Sequence, residues 1–239
     1  MLSPADYVLL AAGFLLYVAV IVCAIRSKSF LKYITLNLYV IVATSLSIGR
    51  FAILETAGFR SRQYYYFFYY SDVLLTICLY FVLMELYSRV FSELHLGKYI
   101  RGGAMLVLGA TAFVSYLAVT AAHERIGTAF ATELSQNLYF VGLVLTYVLW
   151  GAVMKLHETR TRLIQFVLSL GVYFSAFAAS YALANLYPSI AIWQYTQPIL
   201  GVLLPAAWAY TFSQVSEDAR LAVASVSTSG AGSSPMSDR

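Results

Sequence analysis

Asp72 sits within an apolar run from Tyr65 to Tyr87, where a carboxylate facing hydrocarbon costs on the order of 2–4 kcal/mol unless a polar partner meets it. Tyr65, Tyr69, Asp72, Thr76 and Tyr80 recur at helical spacing and share one face. A face mixing phenols with a carboxylate suits a bundle interior or a wet cavity better than lipid tails. Other strong hydrogen-bonding side chains occur at comparable depth. Arg50 closes the preceding run, Gln136 and Asn137 enter the fifth, Asn185 ends the sixth, and Gln194 and Gln197 stand one turn apart at the start of the seventh. Together they could form a pocket for a small ligand, with Asp72 about 10 Å along its helix and Arg50 or Gln197 in reach. Two plainer readings stand beside it. Tyrosines gather at membrane interfaces in any case, and Asp72 with Arg50 could be a purely structural ion pair. Glu85 and Arg89, four apart in the favourable order, read as a structural pair that snorkels to water.

Catalysis has little to work with. All three His fall between the apolar runs, so paired axial ligands for a membrane haem are missing. There is no HExxH, no GxSxG and no pair of opposed intramembrane carboxylates. Asp72 alone would have to carry any reaction. Cys23 and Cys78 lie within apolar runs without a CxxC, which supports neither a disulfide framework nor a thiolate metal site. The expectation is a non-enzyme with no cofactor and no metal.

The elements holding these residues are seven apolar stretches: 7–25, 31–54, 65–87, 104–122, 134–154, 163–186 and 192–214. Hydrophobic residues make up 61% of the 239 and charged residues 11%, against roughly 25% charged in a soluble domain. Each stretch can cross ~30 Å of hydrocarbon as a helix, and period-2 alternation is missing. The fold class expected is all-α, a polytopic seven-transmembrane-helix bundle over residues 1–215, with a mostly disordered tail over 216–239.

Lys and Arg cluster at alternate gaps: Arg26, Lys28 and Lys32; Arg89, Lys98 and Arg101; Lys155, Arg160 and Arg162. With Arg220 these make ten of the fifteen basic residues, and they predict those gaps on the cytoplasmic side. The amino end is then outside, the carboxyl end inside, and the membrane a bacterial inner membrane. Met1 to Asp6 lacks a basic n-region, so the first run reads as a retained helix and not a signal peptide. The net charge of +4 is topogenic and gives no argument for nucleic acid.

An ungapped overlay sets Tyr70-Ser71-Asp72-Val73-Leu74-Leu75 on Tyr195-Thr196-Gln197-Pro198-Ile199-Leu200. Tyr17-Val18 falls on Tyr147-Val148, and Leu31, Leu36 and Leu38 fall on Leu163, Leu168 and Leu170 at another offset. Chance matching of apolar helices gives the same kind of overlay; a true duplication makes a three-plus-one-plus-three parallel repeat, with the fourth helix as connector. In size and helix count the chain resembles the PQ-loop and sugar-efflux carriers and the rhodopsin-like proteins. It lacks the Pro-Gln pair of the former and the Schiff-base Lys of the latter. The Tyr-rich start and Ser71-Asp72 of the third run resemble uncharacterised small seven-helix bacterial membrane proteins, a likeness that implies no activity. The function expected is a receptor- or sensor-like protein with a small ligand in the outer half of the bundle and a cytoplasmic protein partner at the basic loops or tail. The alternative is a small-solute transporter using the same pocket.

Overall fold

The computed structural model describes residues 4–58, 61–92, 97–121, 126–187 and 193–216. Seven α-helices run through them: α1 (Pro4–Arg26), α2 (Ile34–Ala57), α3 (Arg62–Val90), α4 (Gly97–Ala121), α5 (Ile126–Lys155), α6 (Thr161–Leu186) and α7 (Trp193–Gln214). Among the described residues there is no strand. Among the described residues five helices, α2 to α6, are long and apolar enough to cross a membrane. The expected tail lies outside the described residues from 217 onward, as do Arg60 and Arg125.

Local chemistry accounts for several helix ends. Ser61 caps α3 by accepting a hydrogen bond from the Tyr64 N–H at 3.0 Å. Gly58 ends α2 at φ 81°, a left-handed conformation that favours glycine. The ends of α1 and α5 share one design. Lys28 (φ 53°) and His157 (φ 50°) both adopt the left-handed conformation, and the next residue reaches back five positions, Ser29 N–H to Ala24 O and Glu158 N–H to Val153 O, each at 3.1 Å.

Packing follows a simple plan. Helix α1 contacts α7 and α2, α2 contacts α3, α3 contacts α5, α5 contacts α6, and α6 contacts α7. These six close a ring. Helix α4 stands outside it, against α5 and to a lesser extent α3. The core is aromatic and branched, with Trp208, Phe166, Phe174, Leu36, Leu83 and Leu149 fully buried. The outward faces stay apolar: Leu106, Phe113 and Leu31 are 71%, 62% and 79% exposed. A surface of that kind suits acyl chains and not water.

Burial tests the three overlays. The third on the seventh keeps its faces: Leu79, Leu83, Leu86 and Tyr87 fall on Leu204, Trp208, Thr211 and Phe212, all buried, while exposed Leu74 falls on exposed Ile199. The other two overlays do not. Leu31 and Leu38 are exposed where Leu163 and Leu170 are buried, and inward Tyr17 would lie on exposed Tyr147. A shift of 129 residues for α1 on α5 corrects this, placing Val20 on Leu149, Ala24 on Val153, Gly13 on Gly142 and the Lys28 turn on His157. For α2 on α6 a shift of 127 places Leu36, Tyr39, Val40 and Ala43 on Leu163, Phe166, Val167 and Leu170, all buried.

Candidate functional site

Asp72 is partly buried where α3 meets α5, and its Oδ2 accepts from the Ser135 hydroxyl at 2.7 Å. Thr76, one turn along α3, lies 3.1 Å from the same hydroxyl and donates to the Asp72 carbonyl at 2.9 Å. Two hydroxyl protons thus serve three acceptors. A carboxylate has room for about four hydrogen bonds, and among the described residues one hydroxyl, that of Ser135, donates to this one.

Four tyrosines surround this group at the ring's centre. Tyr39, Tyr139 and Tyr173 lie within electrostatic range of Asp72. The Tyr17 hydroxyl pairs with that of Tyr39, and the Tyr139 hydroxyl pairs with Thr76 and Tyr173. Their rings are fixed by packing: Phe177 lies 4.7 Å from Tyr139 and 4.5 Å from Tyr173, centroid to centroid. Tyr39 packs edge-on to Trp208 at 5.5 Å. The close approach of α5 and α6 at this level depends on Gly142, where a Cβ would stand 2.4 Å from the Phe174 ring.

Arg50 does not pair directly with Asp72. Its Nε donates to Ser71 Oγ at 2.7 Å, another nitrogen reaches Phe68 O at 3.4 Å, and the guanidinium lies 4.6 Å from the centre of the Phe68 ring. The cation is held one residue away along α3, acting on Asp72 through space. Asn137 turns toward α4 instead, donating to Ser115 Oγ at 3.0 Å and to Glu133 Oε1 at 3.2 Å. Gln136 is partly buried and joins neither group. The Tyr65 and Tyr69 rings lie 4.6 Å apart, tilted, nearer the start of α3, with Tyr65 half exposed. The side chains of Gln194 and Gln197 lie outside the described residues. Among the described sequence candidates, Asp72 and Thr76 reach the centre, Tyr69 lies within electrostatic range of Asp72, and Arg50 and Asn137 turn to other helix pairs. Ser135, Tyr17, Tyr39, Tyr139 and Tyr173 were not among the sequence candidates. The only signal was one tyrosine per helix at mid-length for Tyr17, Tyr139 and Tyr173.

The opposite end of the ring is tied by arginines. Arg162, almost fully buried, donates from Nη1 to Ser29 Oγ at 2.5 Å and from Nε to the Val215 carbonyl at 3.0 Å, with Nη2 on the same carbonyl. Arg160 donates to the Arg89 carbonyl at 3.1 Å and pairs with Glu158 at 2.5 Å. That hydrogen-bonded guanidinium holds the Glu158 carboxyl below the usual carboxylate range. Arg89 pairs with Glu85 at 2.6 Å and lies 4.5 Å from the centre of the Tyr33 ring. These contacts join α6 to the α1–α2 turn, to α3 and to the end of α7. Among the described residues no group of three or more His, Cys, Asp or Glu could hold a metal ion. Compared with family models, curated proteins and solved structures, the chain matches none.

Proposed function

We propose that the chain crosses a bacterial inner membrane seven times, with its amino end outside, and carries a small polar solute past the Asp72 site. The observation that carries this reading is the composition of the site. Tyr17, Tyr39, Asp72 and Thr76 come from α1 to α3, and Ser135, Tyr139 and Tyr173 from α5 and α6. A site shared between two three-helix units, with α4 outside the ring, suits rocking of one unit against the other, as in carriers built from parallel repeats. The registers of 129, 127 and 125 residues, which keep buried faces on buried faces, support the three-plus-one-plus-three arrangement. The fall from 129 to 127 matches an α5–α6 turn two residues shorter than the α1–α2 turn. Pro198 and Pro205 lie inside α7 and each removes one backbone hydrogen bond, which eases bending there. On this reading the arginine contacts at Arg160 and Arg162 are the closed cytoplasmic gate.

The receptor-like reading keeps one specific support. The same arginine contacts seal one end, and a sensor needs only one entrance. A cytoplasmic partner at the basic loops then reads the state of the seal. The two readings separate in proteoliposomes offered radiolabelled amines, amino acids and sugars. A carrier accumulates one of these and loses uptake at least tenfold in Asp72→Asn with yield unchanged; saturable binding without uptake favours the sensor, and uptake indifferent to Asp72→Asn removes the site. Orientation is checked by cysteine labelling. A Cys at position 61 is expected to react from outside and one at 159 only after permeabilisation, the reverse pattern inverting the topology.

A further inference from the structure

We propose that the solute bound at the Asp72 site is a zwitterion of the amino-acid class, its ammonium on Asp72 and its carboxylate on Arg50. The proposal rests on the small-solute reading of this site and names the solute's charge. Asp72 and Arg50 carry opposite charges, lie within electrostatic range of each other and are both partly exposed, yet they do not touch. Opposite charges at membrane depth gain most by direct contact, so a pair held apart needs a cause. The cause is on α3. Ser71, 3% exposed, donates its hydroxyl to Phe68 O at 2.9 Å, which leaves its oxygen turned to receive Arg50 Nε at 2.7 Å. The Phe68 carbonyl and ring hold the rest of the guanidinium, at 3.4 Å and 4.6 Å. Consecutive residues on a helix point about 100° apart, and Asp72 accordingly turns to Ser135 on α5 while Ser71 turns to Arg50 on α2.

Each charge keeps an open atom. Among the described residues, Asp72 Oδ1 and Arg50 Nη1 have no hydrogen-bond partner, and neither is sealed in as Asn37 Oδ1 and Gln165 Oε1 are. Hydroxyls link the two: Tyr17 lies within electrostatic range of Arg50 and pairs with Tyr39, which lies within range of Asp72. A lone ammonium would satisfy Asp72 and leave Arg50 Nη1 open, and a lone anion would do the reverse. Either adds net charge to a site that is balanced without it, which the membrane interior penalises. A zwitterion serves both open atoms through charge-assisted hydrogen bonds and adds no net charge.

The test is equilibrium dialysis of purified full-length protein in dodecyl maltoside against radiolabelled L-alanine, L-leucine and L-glutamine. Each is set beside its decarboxylated amine and its deaminated acid, with D-glucose as a neutral polar control. One or more of the amino acids is expected to bind saturably, about tenfold or more tighter than either fragment, since each fragment leaves one charge of the site unmatched. Asp72→Asn should erase the preference for the amino acid over the deaminated acid and keep the preference over the amine. Arg50→Gln should do the converse. If either variant fails to fold, the fragment comparison on the wild type decides. Retention of no amino acid, a fragment or glucose bound as tightly as the amino acid, or variants that weaken every ligand alike, overturns the proposal. Saturable amino-acid binding without accumulation in proteoliposomes upholds it and defeats only the carrier.

Discussion

Two interior charges, Asp72 and Arg162, are handled in opposite ways. Every nitrogen of Arg162 has a partner, and Phe212 lies 5.7 Å below its guanidinium. Among the described residues Asp72 has one hydroxyl donor, which it shares with Thr76, and a cation turned elsewhere. A saturated buried charge holds helices together, and removing it strands the partners arranged around it. An under-supplied one retains capacity for something that arrives. On the proposed function, the difference separates a structural charge from a binding one.

The comparison is broken first at Arg162. Arg162→Met should lower unfolding stability by about 3 kcal/mol, since Ser29 and the Val215 carbonyl lose their donors and the α6–α7 end loosens. Asp72→Asn should cost under about 1 kcal/mol, because the amide oxygen still accepts from Ser135. Denaturation in mixed micelles compares the two. If Asp72→Asn proves the costlier change, the assignment of roles is reversed.

Second comes Gly142→Ala, on the wall of the Asp72 site. The added methyl meets Phe174, which is 1% exposed and cannot swing away, so overpacking should cost about 1–3 kcal/mol. Phe174→Leu in the same chain should recover part of it by making room. A neutral Gly142→Ala would mean that α5 and α6 part easily at this level, and that the tyrosine cluster is looser than its ring contacts imply.

How much of this was legible in the sequence follows from where each signal originates. Helix number and bounds come from runs of apolar residues, so the expected stretch 65–87 falls inside Arg62–Val90 and 163–186 inside Thr161–Leu186. Asp72 stood out because lipid penalises a charge whatever its neighbours. Its partners could not be read. Ser135 and the four tyrosines are ordinary residues until α5, α6, α1 and α2 are placed around α3, and that placement depends on close approaches such as Gly142 on Phe174. Arg50 was paired with Asp72 on depth alone, whereas rotation about α3 delivers it to Ser71. Two of the three overlays failed for a related reason: matching residue types along apolar helices ignores which side chains face outward, and burial favours other offsets.

The smallest effect is expected at Glu158, beside the arginine end. Hydrogen bonding to Arg160 holds its folded-state carboxyl below the ordinary value near 4.3, so folding favours the ionised form. Stability from this group is present above the unfolded-state value and is lost as pH falls through the lower folded-state one. Arg160 is 38% exposed, and solvent screening limits the pair to a few tenths of a kcal/mol. Comparing wild type with Glu158→Gln from pH 6 to pH 3 should show the wild type slightly more stable at pH 6, with the gap closing as the carboxylate titrates. High salt should shrink the same gap. A gap that persists unchanged at pH 3 would mean that the Glu158 side chain acts through the hydrogen bond it accepts from the Arg160 N–H at 2.9 Å and not through its charge.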